Sequence, residues 1–468
     1  MTHAEQIAAF AERASFESLT APVREQLKIR ILDSLGCAIG ALAGGPPQSV
    51  RHYVEELDHG GKCTLLGGGR ARPDSAGLYN AALIRYLDFN DSYLAKGETC
   101  HPSDNLGAIL AAGEYAGASG HDLLTALAVA YQVQCRLSDE APVRARGFDH
   151  SVQGAYAATA GIGKILGLNA QELANAIAIS ATALNALRVT RTGVLSNWKG
   201  LAYPHMAADC LRNALLARHG VTGPLEVIEG EKGLIDAITG LFQINWAAET
   251  LDRVTRTVLK RYNAEIHSQT TIEAALALRA EGHIAVQQIE RVDVTVFDVA
   301  YHIIGGGEEG DKSTARTKEQ ADHSLPYLVA VALLDGQVMP EQYAEERILR
   351  SDVQTLMAKV RVRESREYSE RFPDEMPARV AIYMRDGRMV EREVRHWPGS
   401  LAEPMAWDAV CGKFERLTAP FTSQGQRGQI RDAVARLEDI SVADLMTILA
   451  DIGAARRPQP IAVGGRRR

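Results

Sequence analysis

Around residue 285 the spacing of apolar residues changes from a helical period to strict alternation, and it returns to a helical period after residue 405. A period near 3.6 buries one stripe of a helix and a period of 2 buries one face of a strand, so this switch dictates two kinds of architecture in one chain. Upstream of it, Thr20 is placed to cap a helix carrying Val23, Leu27, Ile31 and Leu35, closed by Gly44-Gly45-Pro46-Pro47. Asn169 with Glu172 forms a capping-box pattern before the Ala-rich run from Ala170 to about Leu187. Ser75 to Leu87, Leu106 to Ala118, His121 to Arg136 and Tyr203 to His219 are further predicted helices.

Within the altered segment, Ile289 to Phe297 alternates and predicts a half-buried strand. Further strands are predicted at Lys359 to Glu364, Ala378 to Met384 and Met389 to Val394. The last two are joined through Asp386-Gly387, a hairpin turn signal. Two helices, near Glu319 to Leu334 and Pro340 to Met357, lie between the first strand and the rest. Farther on, Ser441 caps a segment with Leu445, Ile448, Leu449 and Ile452 on one face. The expected fold is mainly α: a large discontinuous all-α helical domain (1–265 and 401–455) with an inserted smaller α+β lid domain (266–400) and a flexible basic tail (456–468). A chain of 468 residues is long enough for two cores.

The composition excludes several classes of function. Apolar residues make up 46% and charged residues 23%, as in globular proteins generally, and no apolar run approaches the roughly 20 residues of a membrane span. A net charge of −7 gives no overall grip on nucleic acid. The six cysteines are scattered without a Cys-x-x-Cys pair, so neither a zinc site nor a cysteine-ligated iron–sulfur cluster is expected. No signal peptide is expected from the opening residues, which makes the cytoplasm the expected location. Gly67-Gly68-Gly69-Arg70 and Gly305-Gly306-Gly307 lack the Lys-Ser/Thr of a phosphate loop and are expected to be turns.

The densest polar stretch is Leu87-Asp88-Phe89-Asn90-Asp91-Ser92-Tyr93, followed by Cys100-His101-Pro102-Ser103-Asp104-Asn105-Leu106-Gly107. Carboxylates beside an imidazole can both take and give a proton near neutral pH, which is what elimination of water requires. The plainer reading is a loop whose polar side chains cap helices, with Ser103 capping the next one.

These two runs resemble the most recognisable segment of the MmgE/PrpD family, which contains the 2-methylcitrate dehydratases. Further matches follow in order: Arg146-Gly147-Phe148-Asp149-His150, then Asn197-Trp198-Lys199-Gly200 leading to His205. After these come Ala264-Glu265-Ile266-His267-Ser268-Gln269-Thr270 and Asp322-His323-Ser324-Leu325-Pro326-Tyr327. The resemblance covers nearly the whole chain except the tail. It implies a helical domain with an α+β lid, an active site between them, a homodimer, a small polycarboxylate substrate, and no metal or organic cofactor.

Carried over position by position, the resemblance implies Asp88 and His101 as the acid–base pair, with either as the base. It implies His150 and Lys199 as further catalytic residues, Lys199 holding a substrate carboxylate. Ser92, which stands where relatives tend to have Thr, His267 and Tyr327 are implied to contact substrate. Arg191, and Arg188 beside it, are added as cations close before Lys199. His205 and His323 are expected to orient these partners. Tyr327 lies in the apolar run from Leu325 to Leu334 and reads equally as a core residue. The expected reaction is dehydration of 2-methylcitrate or citrate, with cis-aconitate decarboxylation or epimerisation of a related carboxylate as alternatives. A non-catalytic helical scaffold would be expected to lack the polar set that this chain keeps.

Overall fold

A computed structural model describes residues 1–58, 60–282 and 284–452. The basic tail expected at 456–468 lies outside the described residues. Helices from both ends of the chain share one apolar core. Leu27, Ile31 and Leu35 of helix Ala21–Gly40 belong to it, and so do Phe414 of helix Trp407–Thr418 and Leu445 and Leu449 of helix Val442–Ala450. A second core, built between residues 258 and 397, belongs to a four-stranded sheet and its helices.

In that sheet, strand Ile289–Val296 pairs in parallel with Val360–Glu364 and antiparallel with Ala378–Met384, which pairs with the edge strand Met389–Val394. Burial of Val292, Val294 and Val296 matches the alternation in the sequence. Helices Gln269–Ala280 and Leu325–Asp335 supply apolar partners such as Ile272, Ala275, Leu328 and Val331.

Three helices differ from the sequence expectation. The segment expected at Glu319 to Leu334 is broken into Lys318–Ala321 and Leu325–Asp335, with the Ser324 side chain accepting from the Tyr327 N–H to cap the second. The break brings Asp322 and His323 out of helical register and into the interior. The segment expected at Pro340 to Met357 is a 3₁₀ turn, Pro340–Tyr343, and two short helices, Glu345–Ile348 and Ser351–Met357. The helix expected to begin at Tyr203 begins at Trp198, so it carries Pro204 in its second turn and Lys199 in its first. Proline there forfeits one backbone hydrogen bond without ending the helix.

Helix Pro73–Tyr86, which leads into Asp88, is held closely against helix Leu106–Ala116. A Cβ on Gly107 would lie 2.3 Å from the Ala81 nitrogen, so this approach requires glycine. Among the described residues no helix is long and apolar enough to cross a membrane, and all six cysteines are free thiols.

Candidate active site

Helix Pro73–Tyr86 ends by turning Asp88 into the left-handed region, at φ 54°. Aspartate tolerates this conformation better than most residues with a Cβ. The turn aims its carboxylate into a ring of cations. Oδ1 lies 2.7 Å from Arg85 Nη1 and 2.6 Å from Lys260 Nζ, and Oδ2 lies 3.2 Å from Lys199 Nζ. Burial alone would raise the Asp88 pKa, but Arg85, Lys260, Lys199 and His323 reverse that effect and hold it well below the usual carboxylate range. Asp88 is therefore a fixed anion and a weak proton acceptor.

Lys199 reaches the same cluster from the first turn of its helix. Its Nζ donates to Asp322 Oδ1 at 2.9 Å and lies 3.0 Å from His323 Nδ1. Asp88, Asp322 and His323 place one ligand atom each within 4.8 Å of one another, a spacing suited to a metal ion. The ammonium group lies within hydrogen-bonding reach of all three, so the positive charge that this trio calls for comes from a side chain.

Two imidazoles stand beside this cluster. His101 follows the short strand Thr99–Cys100, and its Nδ1 lies 2.8 Å from the Asp91 carbonyl oxygen and 3.0 Å from Ser92 Oγ. A carbonyl only accepts, so Nδ1 carries the hydrogen and Nε2 presents a lone pair. Burial lowers the His101 pKa well below the ordinary 6.5, Arg85 and Lys260 lower it further, and Asp88 offsets only part of this. The His150 ring meets His101 edge-on at 5.5 Å, and its buried Nε2 has no hydrogen-bond partner among the described residues. Burial, opposed by Asp149 but reinforced by Arg191 and Arg85, pushes the His150 pKa down to about 3. Both rings are neutral bases at physiological pH.

The α+β body contributes a third imidazole of different character. His267 Nδ1 lies 2.6 Å from Glu265 Oε1, and its Nε2 lies 3.4 Å from Thr99 Oγ1. A carboxylate only accepts, so Nδ1 carries a hydrogen towards Glu265, which fixes the ring with Nε2 turned to Thr99 and the cleft. Burial would raise the Glu265 pKa, but His267, His323 and Lys260 together more than offset it and hold it below the ordinary value.

These groups converge on one cleft between the two bodies, with about 40 Å³ of free space. Asp88, His101, His150, Arg191, His267 and His323 line it, joined by Arg85, Arg144, Arg188, Glu98 and Glu309. Lys199 stands behind Asp88. Arg191 is committed to Asp149, and Arg188 binds Glu309 Oε1 through Nε at 3.1 Å and through Nη2, linking the helical body to the α+β body. Glu309 follows the Gly305-Gly306-Gly307 turn, which thereby delivers an acidic residue to the cleft. Among the described residues the Arg144 guanidinium forms no ion pair.

Four expectations require correction. Tyr327 does not reach the cleft; it is buried in the core of the α+β body and its hydroxyl donates to the Gln342 carbonyl, because it lies inside the apolar helix that packs there. Ser92 does not line the cleft and instead holds His101. His205 points to the surface, 3.5 Å from Asp209, one turn along its own helix. Ser103 caps no helix; its hydroxyl donates to Asp91 Oδ1 at 2.6 Å. The sequence reading missed Arg85, Arg144, Lys260, Glu98 and Glu309 in the cleft and its supporting cluster. Only Arg85 carries a local signal, being three residues before Asp88 at the end of a predicted helix.

Comparison with known proteins covers both bodies. Residues 5–247 match the MmgE/PrpD N-terminal domain, and residues 262–439 match the MmgE/PrpD C-terminal domain. The chain belongs to the MmgE/PrpD family. Similar relatives include 2-methylcitrate dehydratase of Escherichia coli K12, 29% identical over 79% of this chain and 80% of that protein. The alkylcitrate dehydratase phiI of a fungal species is 28% identical over 88% of this chain and 86% of its own length. Mouse cis-aconitate decarboxylase is 24% identical over 92% and 90%. In this MmgE/PrpD chain the cleft is where the matched regions meet: Asp88, His101 and His150 come from the first, and His267 and His323 from the second.

Proposed function

We propose that the protein is a hydro-lyase that removes water from a small tricarboxylate, 2-methylcitrate or citrate, to give a cis-aconitate-type product. The observation that carries this reading is a pair of neutral imidazoles, His101 and His150, facing a cleft rimmed by arginines. Arginine side chains suit planar carboxylates through paired hydrogen bonds. Neutral imidazoles retained beside them are bases ready for a proton made acidic by a neighbouring carboxylate.

In the proposed reaction Arg144, which forms no ion pair among the described residues, holds a substrate carboxylate, and Arg188 and Arg191 add positive charge to the cleft wall. His101 Nε2 takes the proton from the carbon beside one of them, and the electron pair left on that carbon forms the new double bond. The C–O bond on the adjacent carbon breaks, and His267, oriented by Glu265, serves as the acid and gives an Nε2 proton to the departing hydroxide, so water leaves. His101 ends protonated and His267 neutral, and solvent exchange resets both. Asp88 keeps Arg85, Lys260 and Lys199 in place. The charge gathering on the substrate carboxylate in the transition state is stabilised by Arg85.

The similarity to mouse cis-aconitate decarboxylase over 92% of the chain supports a second reading, in which the same cleft releases CO₂ from cis-aconitate. Purified protein separates the two. Rising absorbance of the unsaturated acid from 2-methylcitrate or citrate supports dehydration, whereas CO₂ from cis-aconitate with no reaction of either hydroxy acid overturns it. The dehydratase reading carries with it a cytoplasmic homodimer acting in the methylcitrate route of propionate breakdown. Light scattering on the purified chain tests the dimer.

A further inference from the structure

A second cavity, of about 490 Å³, lies between the α+β body and helix Trp407–Thr418. That volume falls in the range of small-molecule sites. Leu276, Val338 and Met405 give it apolar walls, and Arg261, Arg416 and Lys413 give it three cations. Among the described residues neither arginine forms an ion pair; Arg416 donates only to the side-chain amide of Gln337. Lys413 is buried and already held, with Nζ 2.7 Å from Asp33 Oδ1, 2.6 Å from the Phe89 carbonyl and 3.2 Å from the Lys260 carbonyl.

We infer that this cavity binds an organic anion with an apolar body, a medium-chain carboxylate, and that Lys413 transmits its binding to the catalytic cluster. The two uncommitted guanidiniums match a carboxylate head, and the apolar walls match a hydrocarbon chain. Lys413 supplies the connection. It forms one wall of the cavity, and the carbonyls it grips belong to the residue after Asp88 and to Lys260, whose Nζ in turn holds Asp88. An anion drawing on the charge of Lys413 therefore loosens its grip on the two segments that set the Asp88 carboxylate.

Octanoate is the probe, with acetate and octanol each offering half of its chemistry. Gly412 faces the cavity, and a Cβ there would meet nothing within 4 Å, so the backbone admits a side chain and Gly412→Leu is the variant chosen to fill the space. Calorimetry on the full chain is expected to show octanoate binding at least about tenfold tighter than acetate or octanol. Gly412→Leu, and separately Arg261→Gln with Arg416→Gln, are each expected to weaken octanoate by about tenfold or more. Absence of octanoate binding, or binding unmoved by Gly412→Leu and by the arginine pair, overturns the site. The coupling rests on the proposed enzymatic reading and is measured as turnover. Octanoate is expected to change kcat in the wild type and not in Gly412→Leu; unchanged kcat on binding, or the same change in both proteins, overturns the coupling. Calorimetry needs no turnover, so its outcome stands apart from failure of the proposed reaction.

Discussion

The imidazole Nδ1 of His101 donates to the main-chain carbonyl of Asp91 over 2.8 Å, and this one bond decides which ring nitrogen faces the cleft. With the hydrogen pinned on Nδ1, Nε2 is a free base. Burial, Arg85 and Lys260 keep it unprotonated well below the ordinary 6.5. A lowered base pKa moves the acid limb of a pH–rate profile downward. The acid limb of kcat/KM, corrected for ionisation of the substrate, is therefore expected below pH 6.5. A limb at or above 6.5 would assign the base elsewhere. Replacing His101 by Gln should cut kcat by about 10²- to 10⁴-fold with an unchanged far-UV spectrum. Ser92→Ala removes a bond to the same ring, so a smaller loss in kcat with little change in KM is expected.

Arg144 and Arg191 both line the cleft but differ in their partners. Arg144 is half-buried and forms no ion pair among the described residues, while Arg191 neutralises the buried Asp149. Losing a charge-assisted hydrogen bond to substrate costs about 1.5–3 kcal/mol, so Arg144→Gln should raise KM by roughly ten- to a hundredfold and leave the thermal midpoint alone. Arg191→Gln should lower the midpoint as well, because Asp149 would remain buried without that cation. Steady-state kinetics and thermal melts on both variants make the comparison. Equal effects of the two substitutions on stability would contradict it.

Asp88→Asn isolates charge from shape, since asparagine also accepts the left-handed backbone found there. The substitution leaves Arg85, Lys260 and Lys199 facing a neutral amide. Breaking a buried ion pair by removing one partner costs about 3–5 kcal/mol, and several cations share this carboxylate. A large drop in the urea midpoint is expected, with activity falling in step. Full stability in Asp88→Asn would mean that Asp88 is not the anion that holds the cluster.

Much of this arrangement was legible in the sequence where local rules apply. The hairpin through Asp386-Gly387 and the strands on either side of it occur where the alternation placed them, at Ala378–Met384 and Met389–Val394. The Asn169–Glu172 capping box is formed, and Ser441 caps its helix. What was not legible depends on long-range pairing. Lys260 meets Asp88 across 172 residues, and nothing in its own neighbourhood distinguishes it from a solvated lysine. Tyr327 shows the reverse limit: its place in a matching motif suggested substrate, but the apolar helix around it faces the core. The break at Asp322–Ser324 was hidden for a related reason, since Asp322 and His323 turn inward to Lys199, a partner far away in the sequence.

His150 makes acid stability a measurable property of the cleft. Its pKa is about 3 in the folded protein against 6.5 ordinarily, so between those values the unfolded chain binds a proton that the fold refuses. Stability therefore rises with pH across this window and is lost as pH falls through it, by up to about 1.4 kcal/mol per pH unit for one proton. Asp104 works in the opposite sense. Burial, though opposed by Arg85 and Asn90, raises it to about 7, so the fold holds its proton above the ordinary 3.8, and the stability this lends disappears as pH rises through that interval. Asp104 is present in both wild type and His150→Gln, so it cancels in their difference. Urea titrations at a series of pH values should show wild type losing stability more steeply than His150→Gln below pH 6.5, with parallel behaviour above it. Parallel curves throughout would mean that His150 accepts its proton in the folded state, and it would then no longer qualify as a neutral base in the cleft.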